Sequence, residues 1–124
     1  MTLQFNTDKP IFLQLAEEIR QSILNGNLKE GEFIPSVRKL SSQFELNPIT
    51  VMNTIKTLVE EGILDKKRGL GMQIKVGTFN KLKEERKNKF LNKDLVNVIK
   101  NANLLGISLS DLKKQISIIS KEIK

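Results

Sequence analysis

Residues 34–71 of this chain read IPSVRKLSSQFELNPITVMNTIKTLVEEGILDKKRGLG, and this stretch decides the fold. Ser36 is a suitable N-cap, because its hydroxyl can accept a hydrogen bond from a backbone N–H in the first turn of a helix. Apolar side chains then recur at helical spacing at Val37, Leu40 and Phe44. The pattern predicts a short helix that ends near residue 44.

A second helix is predicted almost directly after the first. Asn47 is another good N-cap, and Pro48 suits the first helical turn because its φ angle is already fixed there. Gly62 can take the left-handed conformation that ends many helices. Only a tight turn fits between the two helices. The residues of the second helix expected to face inward are Val51, Ile55 and Leu58, with Thr54 beside them.

The outward face of the second helix has an unusual composition. It consists of Ile49, Thr50, Met52, Asn53, Lys56 and Thr57. A solvated helix of this length would normally carry several charges, whereas this face has one lysine among small polar and apolar groups. Such groups suit base edges and thymine methyl groups in a DNA major groove. The pattern favours a recognition helix, and the alternative is a surface helix in an ordinary α-helical domain.

A β-hairpin with a basic tip is predicted after Gly62. Ile63 and Leu64 lead into residues 65–67, and beyond the turn at residues 69–71 apolar side chains alternate with polar ones. The alternating apolar residues are Met72, Ile74 and Val76. Glycines on both sides of Leu70 let the backbone turn tightly and approach a partner closely. Residues 33–34 could add a very short strand at the edge of this hairpin, before Pro35 prevents its continuation.

Residues 10–76 closely resemble the winged-helix DNA-binding domain of the GntR family of bacterial transcription regulators. The motifs that carry this resemblance are PSVRKL at residues 35–40, Asn47-Pro48 with Thr50-Val51, Leu58 with residues 61–64, and RGLG at residues 68–71. The remainder of the chain is similar to the YtrA-like branch of that family. The resemblance implies a winged helix-turn-helix DNA-binding domain over residues 9–77 and a helical dimerisation segment over residues 78–124. The expected fold class is mainly α with a small β-hairpin.

The resemblance also implies which residues contact DNA. The arginine of the PSVR motif is Arg38, the contacts around the turn match Ser36, Asn47 and Thr50, and the wing tip matches residues 68–71. Ile49 and Met52 stand where the YtrA-like pattern often has polar residues, which favours apolar contact with thymine methyl groups. The candidate DNA-binding residues are Ser36, Arg38, Asn47, Ile49, Thr50, Met52, Asn53, Lys56, Arg68, Gly69 and Gly71.

The remaining segments are predicted to be helical. A packing helix opens at Pro10, with Phe12, Leu15, Ala16, Ile19 and Ile23 on one face, while Glu17, Glu18, Arg20 and Gln21 are expected to face solvent without a function. One long helix is predicted over residues 81–105, and a last helix follows a capping box formed by Ser108 and Asp111. Both carry narrow coiled-coil-like stripes of apolar residues.

Two such helices cannot form a core by themselves, so they must pack against another surface. A second copy of the chain is the natural candidate, and the resemblance implies the same. The residues predicted to form the dimer are Leu91, Leu95, Val98, Leu105, Leu109, Leu112, Ile116, Ile119 and Ile123.

Charge is distributed unevenly along the 124 residues. The net charge is +7, yet residues 1–78 contain ten Lys or Arg against nine Asp or Glu, so most of the excess lies in residues 79–124. A nearly neutral domain can still present one basic face to phosphates if its charges are segregated. The basic run at the start of the long helix, over residues 81–93, is interpreted as a solvated face, with a phosphate track as the alternative.

The composition argues against catalysis. The chain has no histidine, cysteine, tyrosine or tryptophan, which removes the commonest general base and the usual soft metal ligands. We therefore expect no enzyme activity, no catalytic residues, no cofactor and no metal. Without an apolar run long enough for a signal peptide or a membrane span, a cytoplasmic location is expected.

The sequence thus predicts a homodimeric, sequence-specific DNA-binding transcription regulator, a repressor that binds a two-fold symmetric double-stranded DNA operator. The alternative is a winged-helix module that binds protein or RNA without operator specificity. A duplex-RNA partner is disfavoured, because the major groove of A-form RNA is too narrow for a recognition helix. Whether a small-molecule effector binds is not indicated by any motif.

Overall fold

The computed structural model of the protein describes residues 4–123. The elements in chain order are α1 (Ile11–Leu24), α2 (Val37–Phe44), α3 (Pro48–Glu60), β1 (Leu64–Lys67), β2 (Gly71–Ile74), α4 (Thr78–Lys89), a π-helical turn (Phe90–Asp94), α5 (Leu95–Leu104) and α6 (Leu109–Ile123). The chain divides into two compact units, with the boundary between Lys83 and Glu84. The predicted fold class, mainly α with a small hairpin, is confirmed.

The helix-turn-helix of α2 and α3 forms as its capping residues predict. The Ser36 hydroxyl accepts a hydrogen bond from the backbone N–H of Lys39 (3.2 Å), and the Asn47 side chain accepts one from the N–H of Ile49 (2.8 Å). Between the helices, Glu45 takes a left-handed conformation with φ of 54°. This conformation is uncommon for a residue with a Cβ atom, and no glycine or asparagine in the turn had signalled it.

The hairpin pairs β1 with β2 in antiparallel register, so that Leu64 lies opposite Ile74 and Lys67 opposite Gly71. Phe33 forms an isolated bridge with Gln73, which confirms the short edge strand. The strand β2 ends at Ile74, two residues earlier than the alternation suggests. Val76 is consequently 86% exposed and is not part of the apolar face, contrary to the pattern.

The core of the first unit joins α1, α2, α3, the hairpin and the start of α4. Its fully buried side chains include Leu15, Ile19 and Ile23 of α1, Leu40 of α2, Val51 and Leu58 of α3, and Ile63, Leu64, Ile74 and Leu82. The buried Thr54 hydroxyl of α3 donates a hydrogen bond to the carbonyl of Phe12 (2.9 Å). These contacts hold α3 by its inner face and leave its outer face at the surface.

Arg20 differs from its prediction as a solvent-facing residue. Its side chain is only 17% exposed, and its guanidinium donates hydrogen bonds to both carboxylate oxygens of Glu61, which follows the last residue of α3. The carboxylate of Glu17 lies 3.6 Å from the same guanidinium. Arg20 therefore ties α1 to the end of α3 through a bidentate ion pair.

The helix α4 begins at Thr78, earlier than the predicted start at residue 81. Thr78 and Leu82 are buried, and the backbone N–H of Phe79 donates a hydrogen bond to the Glu30 carboxylate (2.8 Å). The Lys81 ammonium donates one to the carbonyl of Glu61. The first turns of α4 thus complete the first unit, beyond the boundary at residues 77 and 78 that the sequence suggested.

The second unit consists of the rest of α4, the π-helical turn, α5 and α6. The sequence had predicted one uninterrupted helix through this region, and nothing in its spacing marks the π-helical turn. The Ser108 hydroxyl accepts a hydrogen bond from the N–H of Asp111 (3.1 Å), as a cap of α6 should. Within residues 4–123, no helix is both long enough and apolar enough to cross a membrane.

Candidate nucleic-acid interface

The outer face of α3 presents the side chains that the sequence had singled out. Ile49 is 66% exposed and Met52 is 57% exposed, while Asn53 and Lys56 are also exposed and Thr50 is half-buried. Isolated exposed apolar residues are ordinary, but two on one short helical face with a single cation are a distinctive combination. This face can make apolar contacts and hydrogen bonds with little charge.

The N-terminus of α2 carries a second group of candidates. Ser36 is exposed beside the cap it forms, and Arg38 and Lys39 in the first turn are exposed as well. Over residues 4–123, neither Arg38 nor Lys39 forms an ion pair. Their positive charges are not neutralised by a neighbouring carboxylate, so they are available to phosphates.

The tip of the hairpin carries the third group. Residues 68–70 form the turn, and Gly69 and Gly71 have positive φ angles of 77° and 115°. Lys67 pairs with Asp65 at 3.3 Å on the surface, whereas in the described part of the chain Lys66 and Arg68 have no such partner. An exposed pair of this kind contributes about 0–1 kcal/mol and can open readily when a phosphate competes.

The three groups belong to one packed assembly, because α2 and α3 pack against each other and α3 packs against β1. The structure therefore places all the candidate DNA-binding residues in the first unit. It also fixes the backbone that presents them, through the two helix caps and the buried inner face of α3.

Two acidic side chains of this unit, Glu61 and Glu30, are engaged in contacts between distant segments. Glu61 pairs with Arg20, and Glu30 accepts the N–H of Phe79 at the start of α4. Backbone N–H groups of Phe79 and Gly77 hold the pKa of Glu30 below its ordinary value. A carboxylate at a helix N-terminus is favoured by the helix dipole as well. Sequence reasoning missed these contacts because they join residues far apart in the chain.

The three groups offer interactions suited to recognition. In the part of the chain that the structure describes, no group of three or more acidic, histidine or cysteine side chains could hold a metal ion. What the three groups offer is hydrogen bonding, apolar contact and unpaired positive charge. Those are the interactions that proteins use on DNA phosphates and base edges.

Comparison with known proteins identifies the family. The protein-family model described as "Bacterial regulatory proteins, gntR family" matches residues 12–74. The HTH-type transcriptional repressor YtrA of Bacillus subtilis is 33% identical over 115 residues, which cover 93% of this chain and 88% of YtrA. The uncharacterized HTH-type transcriptional regulator YhcF of the same organism is 30% identical over 112 residues, 90% of this chain and 91% of YhcF.

Solved structures agree with this relationship. A transcriptional regulator from Oenococcus oeni superposes with a TM-score of 0.81 at 27% identity, over 95% of this chain and 97% of the regulator. The DNA-binding domain of AraR, solved in complex with operator ORR3, gives a TM-score of 0.52 at 28% identity, over 60% of this chain and 89% of that domain. These relatives are transcription regulators and not enzymes. The chain therefore belongs to the GntR family of DNA-binding bacterial transcription regulators, as its resemblance to the YtrA-like branch predicts.

Proposed function

We propose that this GntR-family regulator is a homodimeric repressor whose two copies bind a two-fold symmetric operator. The observation that carries the proposal is the construction of α3: a buried inner face, an asparagine cap, and an exposed outer face with one lysine. The relative YtrA is named a transcriptional repressor, which supports the same direction of regulation here.

In this proposal α3 lies in the major groove. Ile49 and Met52 contact thymine methyl groups, and the Asn53 amide can pair with an adenine edge. Thr50 and Lys56 lie on the same helix. The N-cap residues Ser36 and Asn47 lie close to the sugar–phosphate backbone of the duplex. Arg38 binds a phosphate, and Arg68, Gly69 and Gly71 place the hairpin tip against the neighbouring groove. The DNA-binding domain is then residues 9–77 together with the first turns of α4.

Dimerisation is assigned to the segment of residues 78–124, by the helices that follow the first turns of α4. Their apolar stripes are largely exposed in the single chain, and Leu95 and Leu112 alone among the nine proposed positions are half-buried. The other members of the stripe are Leu91, Val98, Leu105, Leu109, Ile116, Ile119 and Ile123. The helices α5 and α6, of 10 and 15 residues, gain stability when such largely exposed apolar side chains are covered. A second copy offers the identical stripe, as a two-fold interface requires.

Selection of bound duplexes from a random DNA pool by the full chain tests this function. We expect enrichment of an inverted repeat with thymines in each half-site. Enrichment of a single, non-repeated site would argue against the dimeric arrangement. No enrichment over the starting pool would argue against sequence-specific binding, and would favour a protein-interaction module.

A further inference from the structure

We propose that Leu70, at the tip of the hairpin, is a specificity-determining residue that inserts into the DNA minor groove and partly unstacks one base step. Leu70 is 73% exposed, the most exposed large apolar side chain of the β1–β2 hairpin. The proposal rests on the proposed function and adds a contact of different chemistry to it. The major-groove face of α3 reads base edges, whereas Leu70 reads how easily the duplex deforms.

The backbone holds this side chain in a defined position. The N–H of Leu70 donates a hydrogen bond to the carbonyl of Lys67 (2.9 Å), which closes the turn. Gly69 and Gly71 on either side adopt positive φ angles that other residues rarely take. The turn therefore has a defined backbone conformation, and this conformation sets the direction of the Leu70 Cα–Cβ bond.

The same two glycines make the tip narrow. Over residues 69–71, Leu70 contributes the only side chain, so a single isobutyl group stands between two bare stretches of backbone. The minor groove of B-form DNA is only about 6 Å wide, and a broader tip could not enter it. A Cβ atom added at Gly71 would meet the Phe33 ring at 3.7 Å, an ordinary contact. The glycines are thus required by the backbone conformation and not by crowding inside the protein.

The chemistry of leucine restricts what it can do at DNA. Its side chain neither donates nor accepts a hydrogen bond, so it cannot bind a phosphate or pair with a base edge. Lys66 and Arg68, which are exposed on the same hairpin, supply the positive charge that holds the tip against the backbone of the duplex. The contact left to Leu70 is apolar, against sugar rings and the faces of bases. Apolar side chains used in this way act as wedges between base pairs.

An apolar wedge prefers some DNA sequences over others, because base steps differ in how easily they unstack. Pyrimidine–purine steps such as TA and CA unstack most easily, so the step under Leu70 is expected to be one of these. The preference appears at a position where the protein makes no hydrogen bond with a base. It is accompanied by bending of the duplex at that step.

The test uses the full chain and the duplex that it selects from a random pool. The fluorescent adenine analogue 2-aminopurine, which brightens when it unstacks, replaces adenine at each position of the half-site in turn. Wild-type protein is compared with Leu70→Ala, which removes the wedge, and with Leu70→Met, which keeps an apolar side chain of similar volume. Affinity is measured at several salt concentrations for each variant.

We expect wild-type protein to raise the fluorescence several-fold at one step in each half-site. Leu70→Ala should abolish this rise, lose about 10-fold in affinity for the selected duplex, and keep the same salt dependence, because no phosphate contact changes. Leu70→Met should retain most of the rise. A wild-type complex that binds the selected duplex without unstacking any position overturns the role of Leu70 and leaves the proposed function standing. A pool from which no duplex is enriched overturns both.

Discussion

At the scale of single residues, the proposed function distinguishes residues that position the protein on DNA from residues that read bases. Arg38 has no ion-pair partner within residues 4–123, so its charge is free to bind a phosphate. Ile49 and Met52 carry no charge and are largely exposed on α3, so their contribution depends on the bases they touch. The two kinds of residue should respond differently to salt and to sequence.

Substitution Arg38→Ala should weaken binding to all duplexes by a similar factor. A phosphate contact releases a counterion, so the slope of log affinity against log salt concentration should become shallower by about one unit. Titrations at four salt concentrations, on the selected duplex and on an unrelated one, measure this. Lys113→Ala, which removes the same charge from α6, serves as the control. An effect confined to one base position would show that Arg38 reads a base instead.

Substitution Met52→Ala should relax the preference at one or two base pairs by about 1 kcal/mol, with little change in non-specific affinity. A matched change in the DNA sharpens the test, since deoxyuridine differs from thymidine only by the missing methyl group. Replacing the contacted thymidine with deoxyuridine should weaken DNA binding by the wild-type protein but not by the Met52→Ala variant. The same pair of measurements applies to Ile49→Ala. If the loss of affinity from the protein substitution and the loss from the deoxyuridine substitution simply add, these side chains do not contact the methyl groups.

At the scale of elements, local patterns in the sequence predicted what depends on neighbouring residues. The N-caps Ser36 and Asn47, the two helices and the hairpin all follow from spacing over a few positions, and the structure confirms them. The Arg20–Glu61 pair and the burial of Leu82 were not predicted, because each brings together segments that are far apart in the chain. Hydrophobic periodicity indicates the type and buried face of one element at a time. It does not indicate which distant segments contact each other.

The fold also makes a contact across the proposed end of the DNA-binding domain at residue 77, and periodicity does not predict it. Gly77 looked like a natural boundary, since a glycine and a change in charge occur there. The structure instead uses Glu30, in the connection between α1 and α2, to accept the N–H of Phe79 at the start of α4. Only the fold brings that carboxylate to the helix terminus. The proposed site residues, by contrast, all lie on elements that the sequence located correctly.

The Glu30 contact predicts a dependence of stability on pH. Its pKa in the folded protein lies below the ordinary value of 4.5, because Phe79 and Gly77 donate backbone hydrogen bonds to the carboxylate. The stabilisation is therefore complete above about pH 4.5 and is lost as the pH falls through the folded-state pKa. Glu30→Gln should melt at a lower temperature than wild type at pH 7, and the difference should shrink below pH 4.5. A difference that stays constant down to pH 3 would contradict this role.

At the scale of the whole molecule, the proposed function assigns DNA binding and dimerisation to different parts of the chain. Residues 1–78 have nearly balanced charge and contain the proposed recognition surface, while the following helices contain most of the net charge and the exposed apolar stripes. A single recognition helix contacts only one half-site. Joining two copies supplies the second contact at high effective concentration, which raises affinity without any new interaction at the DNA.

The most direct test is a titration of the full chain against the selected duplex with two intact half-sites and against one with a scrambled half-site, with sedimentation of each complex. We predict two chains on the intact duplex and an affinity lower by about 10²-fold or more when one half-site is scrambled. Ile119→Lys, which places a charge in the exposed stripe of α6, should abolish most of that difference and sediment as a monomer. One chain on the intact duplex, or equal affinity for the two duplexes, would contradict the account.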